Sequence, residues 1–529
     1  MLRRFHIVLL AWVVAVISGC ATTAPGSDYP KSASFALGEP VQTRLGRQFI
    51  DAAREHGGKS GFRIIPVGAD GFLVRMQMIN AAERTLDLQY FIFRGDETGQ
   101  LLTAALLRAA DRGVRARVLV DDGDTVAGDD QITRIAAHAS VEVRIYNPFV
   151  YRGHSKLWRA TEFMFNAARL DYRMHNKLLV VDNSMALLGG RNLGDAYFQM
   201  NPEAQFADDD LFAAGPIAQQ FSASFDEFWN HALSIPAAAL DGAKSSTAAL
   251  NEHRDTLKQK TQASKVGTID YVQRVAAGEP FNGIVSGRLP LIWASAQVVS
   301  DSPDKKKVTS GERVGRLMRR PVADAIGAVQ SELLMVTPYL IPGNLGMGMF
   351  NDLRQRDVRV RVLTNSLESS TELLAQSGYM PYRVPLLESG VEIFEVRSLL
   401  GNSQGSGQTA AVSRYGNYSL HAKLFVLDRQ RLYIGSMNFD QRSMHLNTEV
   451  GLIIDSPALA QQIAARFEAM VQPVNSYQLA LRPADSVGRL LWRTEEDGKR
   501  IEHEIEPARS KWQRTKANFY SLLPLEDEL

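Results

Sequence analysis

MHNKLLVVDNSMALLGGRN, from Met174 to Asn192, places a histidine and a lysine two residues apart at the head of an apolar, strand-like run. LHAKLFVLDRQRLYIGSMN, from Leu420 to Asn438, repeats the arrangement. Residues i and i+2 of a strand share a face, so His175 and Lys177 should point one way, and so should His421 and Lys423. The pattern His-x-Lys-x4-Asp-x6-Gly-[Gly/Ser]-x-Asn is complete in both stretches, ending at Asn192 and Asn438 after a glycine-containing turn.

Working outward, the match continues. LDLQYFIF (Leu86–Phe93) and VRARVLVDD (Val114–Asp122) in the first half face LLMVTPYLI (Leu333–Ile341) and VRVRVLTNS (Val358–Ser366) in the second. VEVRIY (Val141–Tyr146) and VEIFEV (Val391–Val396) follow in the same order. Four pairs in register are an internal duplication. Each half alternates strand and helix, which predicts an α/β fold of two similar lobes, each a mixed sheet flanked by helices. A pseudo-twofold axis between the lobes would bring both histidine stretches to one site. The expected division is a signal peptide over 1–20, an N-terminal segment over 21–60, a first lobe over 61–235 and a linker or insertion over 236–310. A second lobe over 311–475 and a C-terminal hairpin and helix over 476–529 complete it.

A chain of 529 residues, 45% hydrophobic and 22% charged, is globular and too long for one ordinary core. Its net charge of +1 offers no general attraction to polyanions, which speaks against a nucleic-acid partner. Arg3 and Arg4, the apolar run Ile7–Ile17 and the small residues Ser18 and Gly19 before Cys20 form a secretory signal. Ile17-Ser18-Gly19-Cys20 resembles a bacterial lipobox, which implies lipidation at Cys20 and a place in the cell envelope, facing the periplasm or the outside. Ala21 after it favours the outer membrane. Cys20 is the only cysteine, so no intrachain disulfide can form.

One histidine, one lysine and one asparagine from each half would make a pocket suited to an anionic tetrahedral phosphate. Lysines and amides can hold the non-bridging oxygens as charge moves in the transition state. One neutral imidazole can attack phosphorus while the other, protonated, donates to the leaving oxygen. Ser436, beside Asn438, is a further candidate for phosphate contact. Asp182 and Asp428 lie an odd number of residues from the lysines and are expected to fix the turns that follow them. The acidic runs Asp121–Asp124 and Asp208–Asp210 lack calcium-loop spacing, and no metal or other cofactor is expected.

With both motifs in hand, the chain resembles the phospholipase D superfamily, whose signature is this duplicated motif. GGRNLGDAYF (Gly189–Phe198), FADDDLFAAGP (Phe206–Pro216) and GSMNFDQRSMHLNTEVG (Gly435–Gly451) are similar to its bacterial cardiolipin synthase branch, most of all to the C-type members. The resemblance implies a phosphohistidine intermediate on His175, with His421 as acid and then base, and no metal. It also implies an acidic residue orienting each imidazole: Glu449, and Asp208 with Asp210 as the alternative within its triplet. The expected activity is transfer of a phosphatidyl group to the hydroxyl of a second phospholipid such as phosphatidylglycerol. Hydrolysis of phospholipids to phosphatidic acid is the alternative, with a nuclease or a non-catalytic lipid-binding lipoprotein behind it.

Phe149–Arg173 mixes aromatics with Arg152, Lys156, Arg159 and Arg169, and is either a membrane-facing segment or a helix that buries Trp158, Phe163 and Phe165. Ala508–Pro524 reads as an interfacial helix or one docked on the protein, preceded by a hairpin around Glu-Asp-Gly-Lys. Ile235–Ser264 reads as a surface helix or linker, Ser300–Ser310 as a solvated loop and Gly401–Tyr418 as a mobile loop beside His421. Phospholipids and a membrane surface are the expected partners, and an accessory protein stays open.

Overall fold

The computed structural model describes residues 23–123, 129–153, 155–199, 204–240, 246–263, 278–400, 417–483 and 488–523. Cys20 and the expected signal peptide, and most of the Gly401–Tyr418 stretch, lie outside the described residues.

The first repeat runs β1 (Ser60–Ile65), β2 (Thr85–Tyr90), β3 (Arg115–Asp121), β4 (Val141–Tyr146), β5 (Lys177–Val181), β6 (Met185–Gly189), β7 (Ala204–Ala207), β8 (Asp210–Ala214) and β9 (Ser234–Pro236). The second runs β10 (Ile292–Ser300), β11 (Glu332–Val336), β12 (Arg359–Asn365), β13 (Glu392–Val396), β14 (Asn417–Leu420), β15 (Leu424–Leu427), β16 (Arg431–Gly435), β17 (Val450–Asp455) and β18 (Ser476–Leu481). Pairing gives the order β9-β4-β3-β2-β5-β6-β8-β1 in one half. The other half has β18-β13-β12-β11-β15-β16-β17-β10, the same order strand for strand. β1 and β10 pair antiparallel across the axis, so the two sheets join. The second repeat therefore begins at β10, inside the stretch 236–310 that the sequence presents as a linker. That stretch also holds the surface helix Thr247–Ala263.

The apolar runs of the histidine stretches follow from burial on both faces. Leu179 and Val181 face the core of their own half, while Leu178 and Val180 turn to a core shared with Leu424 and Val426 of the other half. Helices Ile217–Trp229 and Pro457–Met470 contribute Ile217, Phe221, Leu459, Ile463 and Phe467 to that shared core. At the C-terminus β19 (Leu490–Glu496) and β20 (Lys499–His503) form the expected hairpin and extend the second sheet through β18. The helix Lys511–Tyr520 buries Ala517 and packs on Leu373–Tyr379, with Trp512 and Phe519 left exposed.

Asp182 and Asp428 sit in the first central position of matching type I′ turns, with φ of 52° and 53°. Against the expectation that they fix those turns, their carboxylates reach the neighbouring strand. Asp182 accepts from the amides of Glu83, Arg84 and Thr85 ahead of β2, and Asp428 from those of Gln330, Ser331 and Glu332 ahead of β11. The clamp fixes where the histidine strand's neighbour begins. Asp182 is buried and Asp428 half-buried. Asp182→Ala should destabilise the fold by on the order of 2–3 kcal/mol and Asp428→Ala by about 1 kcal/mol, because only buried donors lose their partner without water replacing it. Thermal unfolding midpoints of the two variants check the order.

Candidate active site

The histidines lie just ahead of β5 and β15, on short segments that cross to the opposite half. Their backbones are committed there: the His175 amide donates to the Thr448 carbonyl (2.9 Å) and the His421 amide to the Ala207 carbonyl (2.8 Å). A parallel bridge, Met174 to Thr448, and the parallel pair β7–β14 are the two symmetric halves of this strap. Lys177 and Lys423 share the histidine face and donate back to the carbonyls of His175 and His421. Lys423 Nζ also lies 3.1 Å from His421 Nδ1.

The carboxylates cross as well. Glu449 of the second half accepts from His175 Nδ1 at 2.9 Å, and Asp208 of the first half accepts from His421 Nδ1 at 2.7 Å. Each imidazole thus presents its Nε2 edge to the site. Asp210, the alternative to Asp208, is remote from this work: Arg75 grips it with two bonds (2.7 and 2.8 Å) and Arg191 with a third (2.9 Å). Arg191 also donates to the Asp208 carbonyl, so this buried cluster holds the backbone that carries Asp208.

Behind Glu449 the support differs. Ser436, expected at the phosphate, instead donates its hydroxyl to Glu449 Oε2 and accepts from the Val450 amide. Ser443 donates to Oε1 (2.9 Å). The position of Ser436 in the first half is Gly190, where a Cβ would collide with the Asp208 carboxylate. Lys305, in the stretch taken for a solvated loop, is buried. Its ammonium bonds Asp301 (2.9 Å) and the carbonyls of Ser443 and Asn447 (2.6 Å each), while Asp301 accepts from the Glu449 amide (3.0 Å). A single lysine within SPDKKK gives no sequence signal of burial.

The amides differ too. Asn192 accepts from the Ile92 amide (3.2 Å) and donates to the Tyr197 hydroxyl (2.9 Å), so its side chain is held within its own half. Asn438 has an amide oxygen with no partner among the described residues. Aromatic rings pack against both imidazoles: Phe91 stands edge-on to His175 (5.0 Å), and Tyr197 and Phe206 flank His421 (5.3 and 5.2 Å). These rings lie outside the repeated motif. Asp121 and Asp122 are engaged in protein contacts, Asp121 with the Met174 amide (2.8 Å) and Asp122 with Arg152 and the Phe149 amide.

Burial, then the positive field of the lysines, holds both imidazoles neutral: His175 lies well below the usual range and His421 at about 3. Burial also pulls Lys177 well down and Lys423 to about 8, against the opposing pull of Asp208 and Glu449. Glu449 is pushed up to about 7 by burial. For Asp208 burial acts upward, but the hydrogen bond from His421 and the nearby cations outweigh it and hold the carboxyl below its ordinary value. Both lysines act on both imidazoles, which places the two motifs within one electrostatic neighbourhood. The set is equipped for phosphoryl chemistry: two Nε2 edges and two lysine ammonium groups.

Two lobes of one topology, with the repeated motif at their junction, define an enzyme of the phospholipase D type. The cardiolipin synthase, phospholipase D-like domain family matches residues 76–229 and again 322–471. The chain belongs to that family. It is 33% identical to cardiolipin synthase C of Escherichia coli (strain K12), over 91% of this chain and 99% of that protein. It is 24% identical to the major cardiolipin synthase of Bacillus subtilis (strain 168), over 81% of this chain and 74% of that protein. The solved phosphatidylserine synthase of Haemophilus influenzae superposes with a TM-score of 0.49 at 13% identity, covering 80% of this chain and 91% of that one.

The value for Lys423 sets a pH dependence. Its ammonium is present below about 8 and lost above it, so kcat/KM, which reports the free enzyme, should fall as pH rises through about 8. A kcat/KM profile with a labelled phospholipid checks this.

Proposed function

We propose that this protein is a phosphatidyltransferase that works on phospholipids at a membrane surface. His175 Nε2 attacks the phosphorus of a donor phospholipid, and the bond to the headgroup oxygen breaks as His421 delivers a proton to it. The phosphatidyl group then rests on His175. The hydroxyl of a second phospholipid, such as phosphatidylglycerol, enters on the side of His421, gives up its proton there and displaces His175. With phosphatidylglycerol as both donor and acceptor the product is cardiolipin. Lys177, Lys423 and the Nδ2–H group of Asn438 donate to the phosphate oxygens, and an anion among them favours the imidazolium that the first step needs. No cofactor enters either step.

The observation that carries this reading is the crossed pair of imidazole–carboxylate bonds, which frees two Nε2 edges for a single phosphate. The assignment of roles rests on the carboxylates. Asp208, held ionised, stabilises a protonated His421 and so favours it as the acid. Glu449, raised to about 7, stabilises a protonated His175 less, in keeping with a nucleophile that starts neutral. General acid–base assistance of this kind is worth roughly 10²–10⁴ in rate.

Membrane contact is supported by the helix Lys156–Leu170, which leads directly to His175. The alternative of a buried helix is overturned: Leu157, Trp158, Met164 and Phe165 are each more than 60% exposed, as is Val150 ahead of them. Such a patch fits the acyl–headgroup boundary of a bilayer. Among the described residues no helix is long and apolar enough to cross a membrane. A lipid on Cys20 would supply the tether.

Purified protein incubated with vesicles of labelled phosphatidylglycerol should yield cardiolipin by mass spectrometry. Trp158→Ser with Phe165→Ser should slow that reaction while sparing a dispersed short-chain substrate. Phosphatidic acid as the main product would establish hydrolysis instead, and release of labelled nucleotides from nucleic acid without lipid turnover would overturn the reading.

A further inference from the structure

The two halves part company at one place where the repeat should make them alike. In the first half Tyr146, Tyr172, Met174, Phe225, Phe228 and Trp229 pack into a closed cluster beneath the histidine strap. Strand registers give the counterpart of each in the second half. Asp121 pairs with Tyr146 and Asn365 with Val396, Met174 and Leu420 precede the histidines, and Pro216 and Pro457 start matching helices. Tyr172 and Leu420's neighbour Tyr418 correspond, but Tyr146 becomes Val396. Phe225, Phe228 and Trp229 become Arg466, Ala469 and Met470.

At those positions a chamber opens to solvent, lined by Tyr418, Leu420, Arg466, Ala469 and Met470 together with Leu363. Leu420 and Ala422, on either side of His421, belong to its wall, and so does Asp208. The chamber therefore shares a partition with the His421–Asp208 pair.

We propose that this chamber is an acyl-chain subsite for the phospholipid alcohol that accepts the transferred group. The inference rests on the transferase reading above and deepens it. His421 handles the proton of the oxygen that enters, so an acceptor must approach phosphorus on the side of His421, where the chamber lies. Its wall is mainly apolar and suits a hydrocarbon chain, with Arg191, Gln199, Asp208, Asp209 and Arg466 as the polar groups on it. Arg466, paired with Asp209 at 3.1 Å and 42% exposed, sets a cation beside the mouth, where the acceptor's own phosphodiester would lie. Hydrolysis needs no such space, and the first half shows that the fold can fill it.

Ala469→Phe with Met470→Trp restores two of the four missing rings, those of Phe228 and Trp229. In vesicles of phosphatidylglycerol, with ethanol added as a small competing alcohol, the variant should lose transfer to the lipid acceptor by roughly tenfold or more while headgroup release and transfer to ethanol stay within about twofold. Unchanged cardiolipin formation would overturn the subsite, and so would an equal loss toward both alcohols in a variant whose circular dichroism and melting match the parent. No transfer to either alcohol by the unsubstituted protein would sink the transferase reading itself. A second measurement needs no variant. Across dispersed acceptors of increasing chain length, KM should fall by about fourfold per methylene, the equivalent of ~0.8 kcal/mol, until the chamber is filled. A KM independent of chain length would also overturn the subsite.

Discussion

Each catalytic imidazole takes its orientation from the half of the molecule that does not carry it. Glu449 fixes the His175 ring and Asp208 fixes the His421 ring, while the two straps bond each histidine's backbone to the residue that precedes its own carboxylate partner. Neither half contains a complete imidazole–carboxylate pair. The apolar core between the halves, built from Leu178, Val180, Leu424 and Val426 among others, therefore does more than stabilise the fold. Any slip between the two sheets would separate both pairs at once, because the same straps position both.

Duplication supplied two equivalent sets of groups, and divergence made them unequal. Gly190 leaves room for the Asp208 carboxylate, whereas Ser436 occupies the same place in the second half and donates to Glu449. Asp208 is held down by its histidine and nearby cations, and Glu449 is held up by burial. A symmetric site would have two histidines of equal basicity and no preferred direction. The differences around the carboxylates give the pair a direction, and the differences beneath the straps give the His421 side an apolar chamber that the His175 side lacks.

Much of this was legible in the residues. The repeat and the α/β alternation follow from spacing and periodicity, and the convergence of His175, Lys177, His421 and Lys423 follows once the halves are taken to pack about a pseudo-twofold axis. The crossing of carboxylates was not, because a period of two says which face a side chain takes but not which half it meets. Ser436 reads as a phosphate ligand from its place next to Asn438, and only the register of β16 with β17 turns its hydroxyl to Glu449. β10 escaped notice because its exposed and buried positions alternate irregularly and it follows a long polar stretch. Trp158 and Phe165 sit at spacings that serve a buried helix and a membrane-facing one equally well, and the surrounding fold decides between them.

The crossed arrangement can be tested directly by nuclear magnetic resonance of protein labelled at its histidines. A strong bond from imidazole Nδ1–H to a carboxylate moves that proton far downfield, giving one such signal each for His175 and His421. Asp208→Asn should abolish or shift the His421 signal and leave that of His175 in place, and Glu449→Gln should do the reverse. If Asp208→Asn instead perturbs His175 alone, the carboxylates serve their own halves and the account fails.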